Sequence, residues 1–302
     1  MANYSEILRV FPAARHYVRE RRWARRGDVL AYVGNLEAEA FSTDPYGFRH
    51  GEIEGERYGL DAALSGAEYG LVLGASESFG FGLESNAQTV ASRLSQACGL
   101  YCINVSFPEA DLRTLYTAAL RILSEAPRKP HFIICFAGAT FSRYAYTRRC
   151  DPLFGSPDFL GNDIARFLPG SADEERAFAN LVTYSCFWLD QLLTLAASSG
   201  CPLVVHGQAS AFDKSELDET EIGCALTEPG NDDEERFTTY RLRASSFRRT
   251  FLAAAADSAH VVVSDAASLS FIDEFHYTAQ AAARIAADIA LCLGMRRMAR
   301  DA

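Results

Sequence analysis

The stretch Leu71-Val72-Leu73-Gly74-Ala75-Ser76-Glu77-Ser78-Phe79-Gly80-Phe81-Gly82 runs from an apolar segment directly into a serine set among glycines. A short continuous apolar run is how a buried strand of a parallel sheet reads, and ligands of such sheets bind just outside the carboxyl ends of the strands. Ser76 stands at that end. Towards the other terminus, Asp273-Glu274-Phe275-His276 opens an alanine-rich helical run, placing an acid and an imidazole three residues apart on one loop. Serine, aspartate and histidine thus each fall at an element boundary.

Outward from this stretch the pattern alternates. Strands are expected at 69–73, 101–105, 131–136, 202–206 and 260–264, each a compact apolar run. Helices lie between them. Val90, Leu94 and Ala97, then Leu112, Leu115, Ala119, Ile122 and Leu123, recur at the three-to-four spacing of one buried helical face. A third helix is expected from about Asp173 to Gly200, and a fourth after Asp232-Asp233-Glu234-Glu235, whose carboxylates complement the positive end of a helix dipole. Strand–helix alternation predicts an α/β fold, a three-layer α/β/α sandwich around a five-stranded parallel sheet. Residues 1–65 read as an N-terminal extension packed on the core, and 66–302 as the main domain.

The first 28 residues carry Arg15, Arg19, Arg21, Arg22, Arg25 and Arg26 among Phe11, Tyr17 and Trp23. This basic, aromatic segment is expected to be helical after Pro12; it could meet an acidic partner or a membrane surface, or pack its aromatics on the main domain. Residues 44–49 read as a turn. At 302 residues, 49% hydrophobic and 23% charged, the chain is of ordinary globular composition. Its formal net charge of −10 argues against nucleic acid as a general partner, because such binding needs a cationic surface to displace counterions. The eight cysteines form no Cys-x-x-Cys pair and have no histidine at metal-finger spacing, so they are expected to be mostly buried thiols, with no metal and no cofactor. No run approaches the length of a spanning helix or the core of a signal peptide, so the expected location is cytoplasmic. A homo-oligomer stays open.

A serine hydroxyl needs a base to take its proton, and the base needs a third group to orient it. Ser76, His276 and Asp273 could fill those roles. Competing readings of the glycine-serine string fail. A phosphate-binding Walker loop needs a lysine where Phe81 follows Gly80, and a dinucleotide fingerprint needs a glycine where Ser85 stands. The Gly-x-Ser-x-Gly elbow of classical α/β-hydrolases is broken by Ser78.

Gly74-Ala75-Ser76 directly after the first core strand, and Asp273-Glu274-Phe275-His276 before the last helix, resemble the nucleophile and acid–base motifs of the SGNH (GDSL-type) hydrolases. Gly47-Phe48-Arg49 resembles a segment upstream of the nucleophile in longer members. The likeness spans roughly residues 40–295. It implies a flavodoxin-like fold with Ser76 as nucleophile, His276 as base and Asp273 as its orienting acid. Two motifs depart from the family pattern. Glu109 stands where a glycine would supply an oxyanion-hole amide, and Gly138-Ala139-Thr140 replaces Gly-x-Asn, leaving Thr140 as the donor. A literal Gly161-Asn162-Asp163 does not follow a strand and is read as coincidence.

The oxyanion and substrate-binding candidates are therefore Glu109, Gly138, Thr140, Arg143 and His206. The segments 139–170 and 207–232 follow strand ends and could form lids over the cleft or be ordinary surface insertions. Glu77, beside the nucleophile, reads as a solvated helix-start carboxylate. The resemblance implies ester or thioester hydrolysis, or acyl transfer; the expected cytoplasmic location and the altered motifs point to a small intracellular metabolite or a carrier-bound acyl group as substrate. A non-hydrolytic binding protein and a non-acyl group transferase on the same scaffold are the alternatives.

Overall fold

The computed structural model describes residues 4–20, 22–26, 29–108, 110–138, 170–225 and 234–295. Helices α1 (Tyr4–Val10) and α2 (Ala14–Arg19) lead into an antiparallel hairpin of β1 (Trp23–Arg26) and β2 (Val29–Tyr32). A second hairpin, β3 (Gly51–Ile53) with β4 (Glu56–Tyr58), and the short α3 (Leu60–Leu64) deliver the chain to β5 (Tyr69–Gly74). The helix expected after Pro12 thus stops at Arg19. The sequence Val29-Leu30-Ala31-Tyr32 offers a β-prone partner, so Trp23 onward pairs as a strand instead.

From β5 the alternation is regular. α4 (Ser76–Phe79) and α5 (Val90–Cys98) precede β6 (Tyr101–Ser106), and α6 (Leu112–Glu125) precedes β7 (Ile133–Gly138). Then come α7 (Gly170–Ser199), β8 (Leu203–Gln208), α8 (Glu219–Ala225), α9 (Glu234–Ala255), β9 (His260–Val262) and α10 (Ala279–Cys292). The five core strands form one sheet in the order β6-β5-β7-β8-β9, with every pairing parallel. This is the flavodoxin-like order. The chain starts at β5, steps to β6 on one side, then crosses to β7 on the other, so a crevice opens at the carboxyl end of β5.

Side chains alternate across the sheet as a strand's two-residue period requires. Leu71, Leu73, Ile103, Val105, Ile133, Cys135, Leu203 and Val205 face one layer, which includes α6, α7 and α9. Val72, Cys102, Ile134, Phe136, Val204 and Val262 face the other, against α5 and α10. Each fully buried Leu or Ile contributes roughly 1.5–3 kcal/mol. A one-residue slip would exchange the two faces, so the two cores fix the register. Side chains cap the helices at this end: Asp111 accepts from the Thr114 amide at 2.8 Å, and Thr278 from the Ala281 amide at 3.3 Å. No described helix is long and apolar enough to cross a membrane.

Candidate active site

Ser76 is the first residue of α4, a single turn that begins where β5 ends. The turn closes on Gly80 at φ 91°, where a Cβ would lie 2.9 Å from Nη1 of Arg49. Two residues on, Gly82 has φ 81°, and a Cβ there would meet Ile272 Cδ1 at 2.7 Å. Ile272 immediately precedes Asp273. Glycine at 82 is therefore what lets the serine-bearing turn lie against the loop that carries the acid and the base.

That loop is held from several sides. The Ile272 amide donates to the His276 carbonyl at 2.7 Å, folding the Asp273–His276 segment back on itself. Oδ1 of Asp273 accepts from the amides of Phe275 and His276, both at 2.9 Å. The residues after β8 support it: the Ala211 amide donates to the Glu274 carbonyl at 2.9 Å, and Tyr277 Oη to the Ala209 carbonyl at 3.1 Å. Glu221, itself buried and paired with Lys214 Nζ at 2.7 Å, accepts from the Phe271 amide at 3.2 Å. Ala209, Ser210, Ala211 and Phe212 are buried; this part of the 207–232 segment is scaffolding under the loop.

Ser76 Oγ and His276 Nε2 lie 2.7 Å apart, across 200 residues of sequence. His276 Nδ1 and Asp273 Oδ2 lie 2.6 Å apart. Both residues of the pair are buried, while Ser76 is half-buried. Burial alone would push the Asp273 carboxyl up, but the His276 charge, its hydrogen bond and the two loop amides outweigh it and hold the group at about 2. At neutral pH the carboxylate can only accept, so the proton of a neutral imidazole sits on Nδ1 and is donated to Asp273. Nε2 then presents its lone pair to the Ser76 hydroxyl. The imidazole face is covered by Phe81, with ring centroids 4.5 Å apart.

Of the other sequence candidates, Gly138 and His206 are among the described residues. Gly138 ends β7, in register with Gln208 of β8. Glu109, Thr140 and Arg143 lie outside the described residues, as do Gly161-Asn162-Asp163 and most of the 139–170 segment. His206 is fully buried on the α10 side; its Nε2 is 3.2 Å from Ser264 Oγ, which donates to Asp288 of α10 at 2.8 Å. Burial, reinforced by the charge of Arg248, depresses the imidazole to about 3, so it is neutral. His206 is not among the groups that meet at Ser76. Glu77 is 3% exposed, which corrects the reading of a solvated carboxylate. It turns inward because its Oε1 accepts the Ala75 amide at 3.0 Å. Among the described residues, no cluster of His, Cys, Asp and Glu is arranged to hold a metal.

The structure adds Arg49, whose part in the site sequence reading missed. Its guanidinium is 1% exposed and lies behind the serine turn, 5.5–5.7 Å from the ring centres of Tyr17, Phe41 and Phe79. Tyr17, Tyr32, Leu36, Ala40 and Phe41 pack with Phe79 in one apolar cluster. Ile7 and Ala14 pack with Cys224 and Ile272 in another, and Phe81 touches both. Residues that precede the first core strand therefore wall the site. The signal available in sequence was the likeness of Gly47-Phe48-Arg49 to a segment upstream of the nucleophile, which gave the arginine no role.

No family model matches the chain, and no curated protein matches it. Among solved structures it is similar to a lipolytic protein of the G-D-S-L family from Veillonella parvula DSM 2008, at 11% identity over 74% of this chain and 97% of that one, with a TM-score of 0.46. It is also similar to an extracellular lipase from Streptomyces rimosus, at 16% identity over 72% and 98% of the two chains, TM-score 0.45. A third similarity is to the psychrotrophic esterase EstA from Pseudoalteromonas sp., at 13% identity over 75% and 97%, TM-score 0.42.

Proposed function

We propose that the chain is a divergent SGNH-type hydrolase in which Ser76, His276 and Asp273 carry out serine-dependent ester or thioester chemistry. The observation that carries this reading is the 2.7 Å contact between Ser76 Oγ and His276 Nε2, backed by Asp273 at 2.6 Å from Nδ1. As Ser76 Oγ attacks the acyl carbonyl carbon, its proton passes to Nε2. The imidazolium that forms is stabilised by the Asp273 carboxylate. His276 then returns the proton to the leaving alcohol or thiol as the carbon–oxygen or carbon–sulfur bond breaks. Water, activated by the same imidazole, releases the acyl group; an amine or alcohol in its place gives acyl transfer.

The developing oxyanion would be met by the Ser76 amide, at a helix start where amides have no helical acceptor. Glu109, Gly138 and Thr140 are the further candidates around it, with Arg143 as a substrate contact. The substrate class proposed is a small metabolite or a carrier-bound acyl group in the cytoplasm. In this reading residues 66–302 form the catalytic domain and 1–65 an extension packed on it.

Incubation with a fluorophosphonate, followed by mass spectrometry, tests the nucleophile. The expected result is one covalent adduct on Ser76, absent in Ser76→Ala, with loss of p-nitrophenyl acetate hydrolysis in the variant. An unlabelled wild type that is still thermally stabilised by an acyl ligand would replace this reading with binding alone.

A further inference from the structure

The arginine behind the serine turn is costly. It is buried, yet none of its described hydrogen-bond partners is a carboxylate. Nε donates to Asn86 Oδ1 at 3.0 Å; Nη1 donates to Tyr17 Oη at 2.7 Å and to the carbonyls of Phe79 and Gly80 at 3.1 and 2.7 Å. Nη2 donates to the carbonyls of Ala40 and Ser85 at 3.1 and 2.8 Å. A buried ion without a counter-ion is a poor means of gaining stability, since an apolar side chain of similar volume fills space at lower cost. What arginine supplies is a planar fork of fixed donor directions, here matched to six acceptor atoms on three separate pieces of chain.

Two of those acceptors belong to the turn that carries the nucleophile. α4 has four residues, too few to sustain itself by helical hydrogen bonding. Its backbone links run from the Phe79 amide to the Ala75 carbonyl at 2.9 Å, and from the Gly80 and Phe81 amides to the Ser76 carbonyl at 3.1 and 3.0 Å. The Phe79–Gly80 peptide therefore donates to the Ser76 carbonyl through the Gly80 N–H and accepts from Arg49 through the Phe79 carbonyl. Tyr17 shares Nη1 with the turn, while Ala40 and Ser85 on Nη2 and Asn86 on Nε anchor the rest of the guanidinium. Tyr17 Oη donates on to the Leu83 carbonyl at 2.7 Å, closing the loop downstream of Gly82.

We propose that Arg49 is a positioning residue for the nucleophile: its guanidinium fixes the Phe79–Gly80 peptides, and through them Ser76, at hydrogen-bonding distance from His276. The catalytic half of this statement rests on Ser76 being the nucleophile; the structural half does not. Positive charge alone is insufficient, because an ammonium cannot reach acceptors spread around the plane of the fork.

The test compares Arg49→Lys, which keeps the charge, and Arg49→Met, which keeps much of the volume, with Asp44→Asn. Asp44 braces the same N-terminal region, through the Tyr46, Phe48 and Leu60 amides, without touching the serine turn. With p-nitrophenyl acetate, both Arg49 variants are expected to lose about tenfold or more in kcat, with KM held within about threefold. Asp44→Asn is expected to retain kcat within about twofold at a comparable loss of thermal stability. Amide exchange at Gly80 and Phe81 is expected to accelerate about tenfold or more in both Arg49 variants, while α10 amides stay protected.

Wild-type exchange at Gly80 and Phe81 in a folded Arg49→Lys protein would overturn the proposal. So would a kcat that falls no further than in Asp44→Asn. If wild type forms no adduct on Ser76, the acyl chemistry fails, and the exchange rates still decide whether Arg49 holds the turn.

Discussion

Replacing Asp273 with asparagine isolates the part of the proposed mechanism that depends on a proton's location. In the wild type, Oδ1 is occupied by the amides of Phe275 and His276, and Oδ2 faces His276 Nδ1. An asparagine that keeps its oxygen on the two amides must turn its NH₂ toward Nδ1. That ring nitrogen then has to accept, the proton moves to Nε2, and the imidazole can no longer take a proton from Ser76. Loss of the orienting carboxylate from a Ser-His-Asp triad costs about 10⁴-fold in kcat, equivalent to about 5.5 kcal/mol of barrier. The side chains are nearly isosteric and the loop amides keep an acceptor, so the folded structure should survive. The assay is steady-state hydrolysis of p-nitrophenyl acetate together with the rate of fluorophosphonate labelling, each against Ser76→Ala. An Asp273→Asn protein within about tenfold of wild-type kcat, while Ser76→Ala is inactive, would refute the orienting role.

Three further outcomes are expected. Because the Asp273 carboxyl lies near 2 rather than its ordinary 3.8, its stabilisation is complete above about pH 4 and is lost as pH falls toward 2. Urea titrations should therefore show roughly 2 kcal/mol of wild-type stability, absent from Asp273→Asn, disappearing across that window. Gly82→Ala forces a side chain into the left-handed region and against Ile272, at an expected cost of about 1–3 kcal/mol, read as a lowered Tm with a loss of kcat. An unchanged Tm would show that the two loops do not depend on this close approach. Among the described thiols, Cys98 is lowered to about 7, chiefly by the hydrogen bond with Cys102. Peptide mapping after brief iodoacetamide treatment near pH 7 should find Cys98 modified ahead of the more exposed Cys292 and of Cys135, which burial raises to about 12.

The parts of the molecule governed by periodicity were legible in the sequence. The runs at 69–73, 101–105 and 202–206 are strands within one or two residues, because a strand buried on both faces has to be apolar throughout. The long helices beginning near 173 and 234 were likewise marked by their spacing and acidic starts. Ser76, Asp273 and His276 could be nominated from motif and position, and the structure brings them into one hydrogen-bonded line. What could not be read were contacts whose partners share no local pattern. Arg49 meets Ala40, Phe79, Gly80 and Ser85 through backbone carbonyls, which every residue possesses and no sequence advertises. Glu77 looked like a surface carboxylate because its acceptor role, toward the Ala75 amide, depends on a turn that only the fold creates. The hairpin from Trp23 was hidden by the surrounding arginines, whose charge reads equally well on a helix face or a strand edge.

The hydroxyl and the imidazole that meet at the crevice are separated by 200 positions along the chain. Closing so long an interval carries an entropic cost that intervening order must first reduce, and here that order is the successive pairing of β6, β7, β8 and β9 around β5. The contact between Ser76 and His276 is consequently among the last the polypeptide can form during synthesis. On the proposed mechanism, a nascent chain bearing Ser76 without His276 has no base for its hydroxyl until the final loop has docked.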